Sequence, residues 1–330
     1  MSTIAITGAS GKLGGATLSA LLAHNLAPAP SIVALTSSQP TSPTWTALAA
    51  KGVQVRHASF EDPASFDAAL QGVDKLFLVS TPHIALDFGD ETQVPDGKGR
   101  EGHHRVAIDA AVRAGVRYVY YSSLAFAWSS SKGGPGLESK AGVMRAHLRT
   151  ETYLTRLSKE GKLAGVVFVR EGLYNESWPL YLGYFDARTD DRGEVRVAAD
   201  GRVCWTSIKD LGIASALVLV APGDEYAGRT FYLSTSPKGA RSLAEVAALV
   251  AKARGRDVSV KIVGSEEYER HYVEDRRRDR PAVKWWASTY AALADGECLV
   301  DDPTLERLLA TVGVKPTPIE ETISAMVEKA

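Results

Sequence analysis

Between Thr7 and Gly15 the chain reads Thr-Gly-Ala-Ser-Gly-Lys-Leu-Gly-Gly, directly after the apolar run Ile4-Ala5-Ile6 and before a leucine-rich stretch. Three glycines at this spacing, set between a strand and a helix, form the turn that cradles the diphosphate of a dinucleotide. Gly8 turns the chain off the strand, Gly11 lets the backbone approach a phosphate, and Gly14 lets the helix pack close. Ser10, Gly11, Lys12 and Leu13 then bring N–H groups and the positive end of the helix to the anion. A nucleotide-triphosphate loop is excluded, because it needs glycine where Ile6 stands and Ser or Thr where Leu13 stands.

The adenosine preference is read after the second strand, where an acidic residue accepts a ribose 2′-OH and a basic or donor group meets a 2′-phosphate. The chain there is Leu35-Thr36-Ser37-Ser38-Gln39, without a carboxylate. Ser37 and Ser38 as donors, with Lys12 as counter-charge, favour NADP(H) over NAD(H).

Short β-branched runs alternate with helix-period stretches through the first half, the pattern of a parallel sheet built by right-handed crossovers. Strands are expected at Ile4–Thr7, Ile32–Thr36, Val53–His57, Lys75–Ser80, Val116–Ser122 and Val166–Arg170, with helices between them. Leu18, Leu21 and Leu22 mark the buried face of the first helix, and Val106, Ala110 and Val112 that of a helix from Arg105 to Ala114 that stops at Gly115. In the less regular second half, Thr230–Leu233 and Val258–Val263 read as strands, and Ser242–Arg254 and Asp302–Ala310 as helices. Ala85–Gly102 and Ser129–Gly136 read as mobile loops placed where a lid would sit, or else as surface insertions. The charged run Asp275–Arg280 reads as a solvated face.

With 330 residues, 45% hydrophobic and 23% charged, the chain has material for a large core. Basic residues number 38 and acidic ones 39, a formal charge of -1, which argues against a nucleic-acid partner. Cys204 and Cys298 have neither a disulfide-framework nor a zinc spacing. The chain opens on a strand without a leader pattern and carries no apolar run of about 18 residues, so a cytoplasmic protein without a membrane partner is expected. His83, His103 and His104 surround the first long loop; adjacent histidines diverge by about 100° on a helix, so no metal site is assigned.

The glycine turn, together with Leu76–Pro82, Ala110–Ser123, Arg170–Glu176, Thr206–Leu211 and Lys315–Pro318, resembles the NmrA-like group of atypical short-chain dehydrogenases/reductases over nearly the whole chain. Within the group, type 2 NAD(P)H:quinone oxidoreductases carry a comparable His-x-x-x-Glu helix and Arg-x-Gly-x-Tyr turn. The resemblance implies a Rossmann-type, doubly wound α/β fold. It divides into a cofactor domain over residues 1–170 and a smaller C-terminal α/β substrate lobe over 171–330, with segments near 202–235 returning to the core. It also implies that Ser80, Thr81 and Pro82 line the cofactor, that Tyr174 and Asn175 wall the nicotinamide side, and that Ser122 or Ser123 lies near the carboxamide or substrate. For the two serines, plain strand termination is the competing reading.

Reductases of this superfamily use a Tyr-x-x-x-Lys pair, and none of the twelve tyrosines here has lysine four residues later. Aligned on Glu151, the lysine position holds His147 and the tyrosine position Val143. The resemblance thus implies an oxidoreductase lacking its usual acid. His147 is expected to bind the ribose and, titrating near neutrality, to relay a proton, or alternatively to pair with Glu151 one turn on.

Tyr120 and Tyr121 point to opposite faces of their strand, leaving Tyr121 as a possible donor, and Lys140 as a more distant substitute. Phe126 and the cluster Trp178, Tyr181, Tyr184 and Phe185 suit a planar substrate, or ordinary core or dimer packing. Hydride transfer to a quinone, enone or similar small conjugated carbonyl survives the loss of the acid better than ketone reduction does. A redox sensor that binds NADP(H) without turnover is the alternative. A homodimer remains open.

Overall fold

The computed structural model describes residues 2–328. In chain order, the first half contains β1 (Ile4–Ile6), α1 (Lys12–Ala23), β2 (Ile32–Thr36), α2 (Pro43–Ala49), β3 (Gln54–His57), α3 (Pro63–Ala69), β4 (Lys75–Val79), α4 (Arg100–Arg113), β5 (Tyr118–Leu124), the short β6 (Trp128–Ser129) and β7 (Gly134–Pro135), and α5 (Met144–Lys159). The second half continues with β8 (Gly165–Glu171), α6 (Trp178–Tyr181), β9 (Glu194–Val197), α7 (Ile208–Val220), β10 (Thr230–Leu233), α8 (Leu243–Arg254), β11 (Ser259–Ile262), α9 (Gly264–Arg270), α10 (Arg280–Ala294), α11 (Thr304–Thr311) and α12 (Ile319–Glu328).

Seven strands form one parallel sheet in the order β10-β8-β5-β4-β1-β2-β3. The inner strands are buried on both faces, which is why they read as continuous apolar runs rather than alternating ones. α1, α7 and α11 pack on one face and α3, α4 and α5 on the other, the doubly wound arrangement. The order reverses between β1 and β4, so the crevice beyond their carboxyl ends is the ligand-binding position of such a sheet.

The later chain gives α7, β10 and α11 to this sheet. The parallel pair β9–β11 and helices α6, α8, α9, α10 and α12 enclose a second, aromatic-rich core. Trp178, Tyr181 and Phe126 lie in that second core, Trp178 and Phe126 fully buried. Tyr181 meets Trp205 and Trp286 edge-on at ring-centroid distances of 5.2 and 5.1 Å. The aromatic spacing that suited a planar substrate is therefore lobe packing: these rings bury against one another and present no face to the cleft.

Both segments read as lids are tied down. Ala85–Gly102 contains a short 3-10 turn, Ile84–Asp87, and the first turn of α4, which starts at Arg100 rather than Arg105. Arg145 donates to the Asp87 and Gly89 carbonyls at 2.6 and 2.9 Å, and Arg149 to that of Val94 at 2.9 Å. Ser129–Gly136 closes as the β6–β7 hairpin. On α4 the buried face is carried by His104, Ala107, Ile108, Ala110 and Ala111, while Val106 and Val112 are only partly covered.

Glu297 links the lobe to the β5–α5 connection. Its carboxylate accepts from Ala127 N at 3.0 Å, Ser139 Oγ at 2.5 Å and Lys140 N at 2.8 Å. Lys140 precedes α5 and pairs at the surface with Asp295, so it is removed from the cleft. In Glu297→Ala, three donors lose their acceptor. Urea unfolding should show a stability loss of about 1–3 kcal/mol, and an unchanged midpoint would contradict this role.

Candidate active site

The turn after β1 is built around two close approaches. Thr7 ties the ends of β1 and β4 together, with Val79 N donating to its Oγ1 at 2.8 Å. Gly8 adopts φ +59°, a left-handed conformation that suits glycine. A Cβ on Gly14 would stand 2.3 Å from the Gly8 carbonyl oxygen, so α1 sits this close to the turn only with glycine there. No side chain caps α1, and its first N–H groups face the crevice. A cleft of about 640 Å³ runs along this edge. Gly8, Ser10, Gly11, Lys12, Leu13 and Gly14 all line it. This uncapped cradle fits a diphosphate, and Lys12 has no ion-pair partner among the described residues.

One end of the cleft is bounded by Thr36, Ser37, Ala58, Phe60 and Glu61, beyond β2 and β3. Ser37 is exposed there. Ser38 is exposed next to it, and its Oγ accepts from Trp45 Nε1 at 2.8 Å and shares a hydrogen bond with Thr36 Oγ1, also at 2.8 Å. Glu61 follows β3 and pairs with His83 at 3.4 Å across the rim. Neither Phe60 nor Glu61 was singled out by sequence reasoning, because the loop after β3 carries no motif.

The opposite end gathers Ser80, Thr81, Pro82, Arg100, Ser122, Ser123, Val143, His147 and Tyr174. Beneath its wall lies a closed hydrogen-bonded ring. Ser80 Oγ lies 3.1 Å from His104 Nε2, and Tyr121 OH lies 3.3 Å from His104 Nδ1 and 3.0 Å from His147 Nδ1. Arg100 Nη1 closes the ring on His147 Nε2 at 3.4 Å and Ser80 Oγ at 3.2 Å.

The partners assign the tautomers. The Thr81 N–H points at His104 Nε2, so His104 carries its proton on Nδ1 and donates to Thr150 Oγ1 at 2.8 Å. Arg100 can only donate, so His147 accepts at Nε2 and donates from Nδ1 to Tyr121. Burial, and then the Arg100 charge, hold both imidazoles well below their usual titration range. His147 is therefore neutral near pH 7, which corrects the expectation of a near-neutral titration. Burial also raises the Tyr121 hydroxyl far above its ordinary value, and its ring lies behind the wall rather than on it.

Ser123 lines the cleft but gives its proton to Glu151 Oε1 at 2.6 Å, and Glu151 also pairs with Arg170 at 2.8 Å. The partner of Glu151 is thus Arg170 and not His147. Tyr174 lies on the cleft wall. Asn175 turns away, its Nδ2 donating to Thr317 O at 3.2 Å and Thr322 Oγ1 at 3.1 Å, so it anchors α12 instead of walling a nicotinamide. Arg100 and His104 are the residues sequence reasoning missed. A Gly-Lys-Gly-Arg string reads as loop, and nothing local shows that Arg100 opens a helix or that His104 faces inward.

Because the folded state holds His104 and His147 neutral, the unfolded chain binds more protons below pH 6.5. Their contribution is intact above that value and is lost as pH falls towards the depressed folded titration. His104→Gln should flatten the fall in unfolding free energy between about pH 6.5 and 5, measured by chemical denaturation. Parallel pH curves for variant and wild type would count against this assignment.

The NmrA-like family pattern matches residues 1–276. Quinone oxidoreductase 2 of Escherichia coli is 28% identical over 323 residues, covering 97% of each chain. The structure of an NADPH-dependent quinone oxidoreductase from E. coli, complexed with NADPH, superposes with a TM-score of 0.73 at 27% identity, covering 98% of this chain and 99% of that one. A triphenylmethane reductase from Citrobacter sp. superposes with a TM-score of 0.73 at 27% identity and 99% coverage of both chains. With its doubly wound sheet, glycine cradle and family match, this chain belongs to the NmrA-like family.

Proposed function

We propose that this protein is an NADPH-dependent oxidoreductase that transfers hydride to a quinone or a comparable conjugated acceptor. One observation carries the acceptor class: none of the three residues expected to act as an acid, His147, Tyr121 and Ser123, is placed as one. His147 is neutral and accepts at Nε2, Tyr121 is walled off, and Ser123 is committed to Glu151. Reduction of a simple ketone needs a proton at the developing alkoxide, whereas a quinone or enone spreads the new charge and takes its proton from water. The relatives named above support the reading, being a quinone oxidoreductase and a triphenylmethane reductase.

A dinucleotide would place its diphosphate at Gly11–Gly14 and its adenosine beside Ser37 and Phe60, and bring the nicotinamide, which supplies the hydride, towards Ser80, His147 and Tyr174. The missing carboxylate after β2 and the unpaired Lys12 favour a 2′-phosphate. Pro82 and Ile84 are exposed on the cleft rim, Ile84 at 39%, and offer an apolar contact to a flat, weakly polar acceptor. Among the described residues no helix is long and apolar enough to cross a membrane.

Stopped-flow mixing of the NADPH complex with a panel of quinones and enones should show acceptor-dependent loss of NADPH absorbance. Tight NADPH binding with no such loss for any acceptor would overturn catalysis in favour of a redox-sensing role. Lys12→Ala should weaken NADPH about tenfold, near 1.4 kcal/mol, and NADH much less. Equal weakening of both would remove Lys12 from 2′-phosphate recognition.

A further inference from the structure

Arg100 is 3% exposed and has five N–H donors to place. Nε donates to Asp87 Oδ2 at 2.5 Å and Nη2 to the Val143 carbonyl at 2.9 Å. The Arg100 backbone N–H also donates to Asp87 Oδ1, at 2.8 Å. These short bonds fix the guanidinium plane from behind. Nη1 is held differently. Its contacts to Ser80 and His147, at 3.2 and 3.4 Å, are the longest of the set, and both partners line the cleft, as Arg100 does. Half of the fork anchors the group, and the other half is held only by two residues that line the cleft.

The charges around this end leave Arg100 unopposed on the cleft side. Asp87 lies behind it. Glu151 is engaged by Arg170 and Ser123, and Glu61 belongs to the far rim with His83. The two imidazoles beside it are uncharged. Of the permanently charged cations on the cleft wall, the other is Lys12 at the glycine turn.

We infer that Arg100 Nη1 is the catalytic group that stabilises the negative charge forming on the acceptor oxygen during hydride transfer. The inference rests on the oxidoreductase reading above and names the group that makes it work without an acid. The acceptor gains two electrons and one hydrogen nucleus from NADPH, which leaves as NADP⁺. A C–H bond forms at the conjugated carbon of the acceptor, its C=C π pair shifts towards the carbonyl so that the anion settles as an enolate on the oxygen against Nη1, and water supplies the proton that completes the neutral product. The oxygen takes the place of the weak His147 contact. A fixed, buried donor needs no reorientation as charge appears, so the contact is stronger than the same one in water.

The test uses 2-methyl-1,4-naphthoquinone and NADPH in single turnover, with NADPH affinity measured separately by fluorescence. Arg100→Gln should slow hydride transfer about 10²–10³-fold while NADPH affinity changes by less than about threefold, near 0.6 kcal/mol. Arg100→Lys should recover part of the rate. Asp87→Asn/Arg100→Gln removes both buried charges, so it is the folded control should the single variant be unstable, and it should show the same loss.

A second readout needs no turnover: 4-nitrophenol bound to the NADP⁺ complex should ionise about one pH unit or more below the free dye on the wild type. On either Gln variant it should ionise like the free dye. Equal single-turnover rates, equal dye midpoints, no saturable dye binding to the wild type, or loss of rate in proportion to NADPH affinity would each overturn the inference. A wild type that reduces no acceptor would instead overturn the underlying reading.

Discussion

A single buried ion pair, Arg100 with Asp87, joins the three connections that shape the business end of the cleft. Asp87 ends the turn after β4, Arg100 opens α4, and the Val143 carbonyl that Arg100 holds lies at the start of α5. Removing either partner would strand a charge with 4% or less of its side chain exposed, a large penalty. The pair therefore specifies where Ser80 and His147 stand, and a segment that would otherwise hang loose over the sheet edge is fastened to it.

The same pair sets the protonation of its surroundings. A fixed cation beside two buried imidazoles disfavours a second positive charge, and burial acts in the same direction. The result is a wall of neutral, hydrogen-bonded groups whose orientation is determined and whose proton inventory does not change near neutrality. Such a wall offers fixed hydrogen-bonding groups rather than an acid–base couple.

Much of this was legible in the chain. The glycine turn between β1 and α1, the positions of the strands along the chain, and the absence of a carboxylate after β2 are local signals, each read within a few residues. His147 was also legible, because it is found by counting from Glu151. Arg100 and His104 were not, since their meaning lies in partners as far away as Thr150 and His147, and no local pattern encodes a contact across 46 or 47 residues. Trp178 and Tyr181 misled for a related reason. An aromatic side chain carries the same letters whether it lines a cavity or fills a core, and only packing against α8–α10 decides between them. The contacts of Ser38 with Trp45 and of the Asn175 amide nitrogen with Thr317 and Thr322 share that limit, being set by partners no local pattern encodes.

The bridge between Glu61 and His83 stands apart from this tightly bonded interior. Their side chains are 62% and 45% exposed, so the attraction is heavily screened and breaking it costs at most about 1 kcal/mol. The loops after β3 and β4 also meet through His103, whose ring stacks on Phe60 at 5.3 Å and stands edge-on to His83 at 5.4 Å. The rim of the cleft is thus held by aromatic faces and one solvent-exposed polar contact, in contrast to the ion-paired floor beneath it.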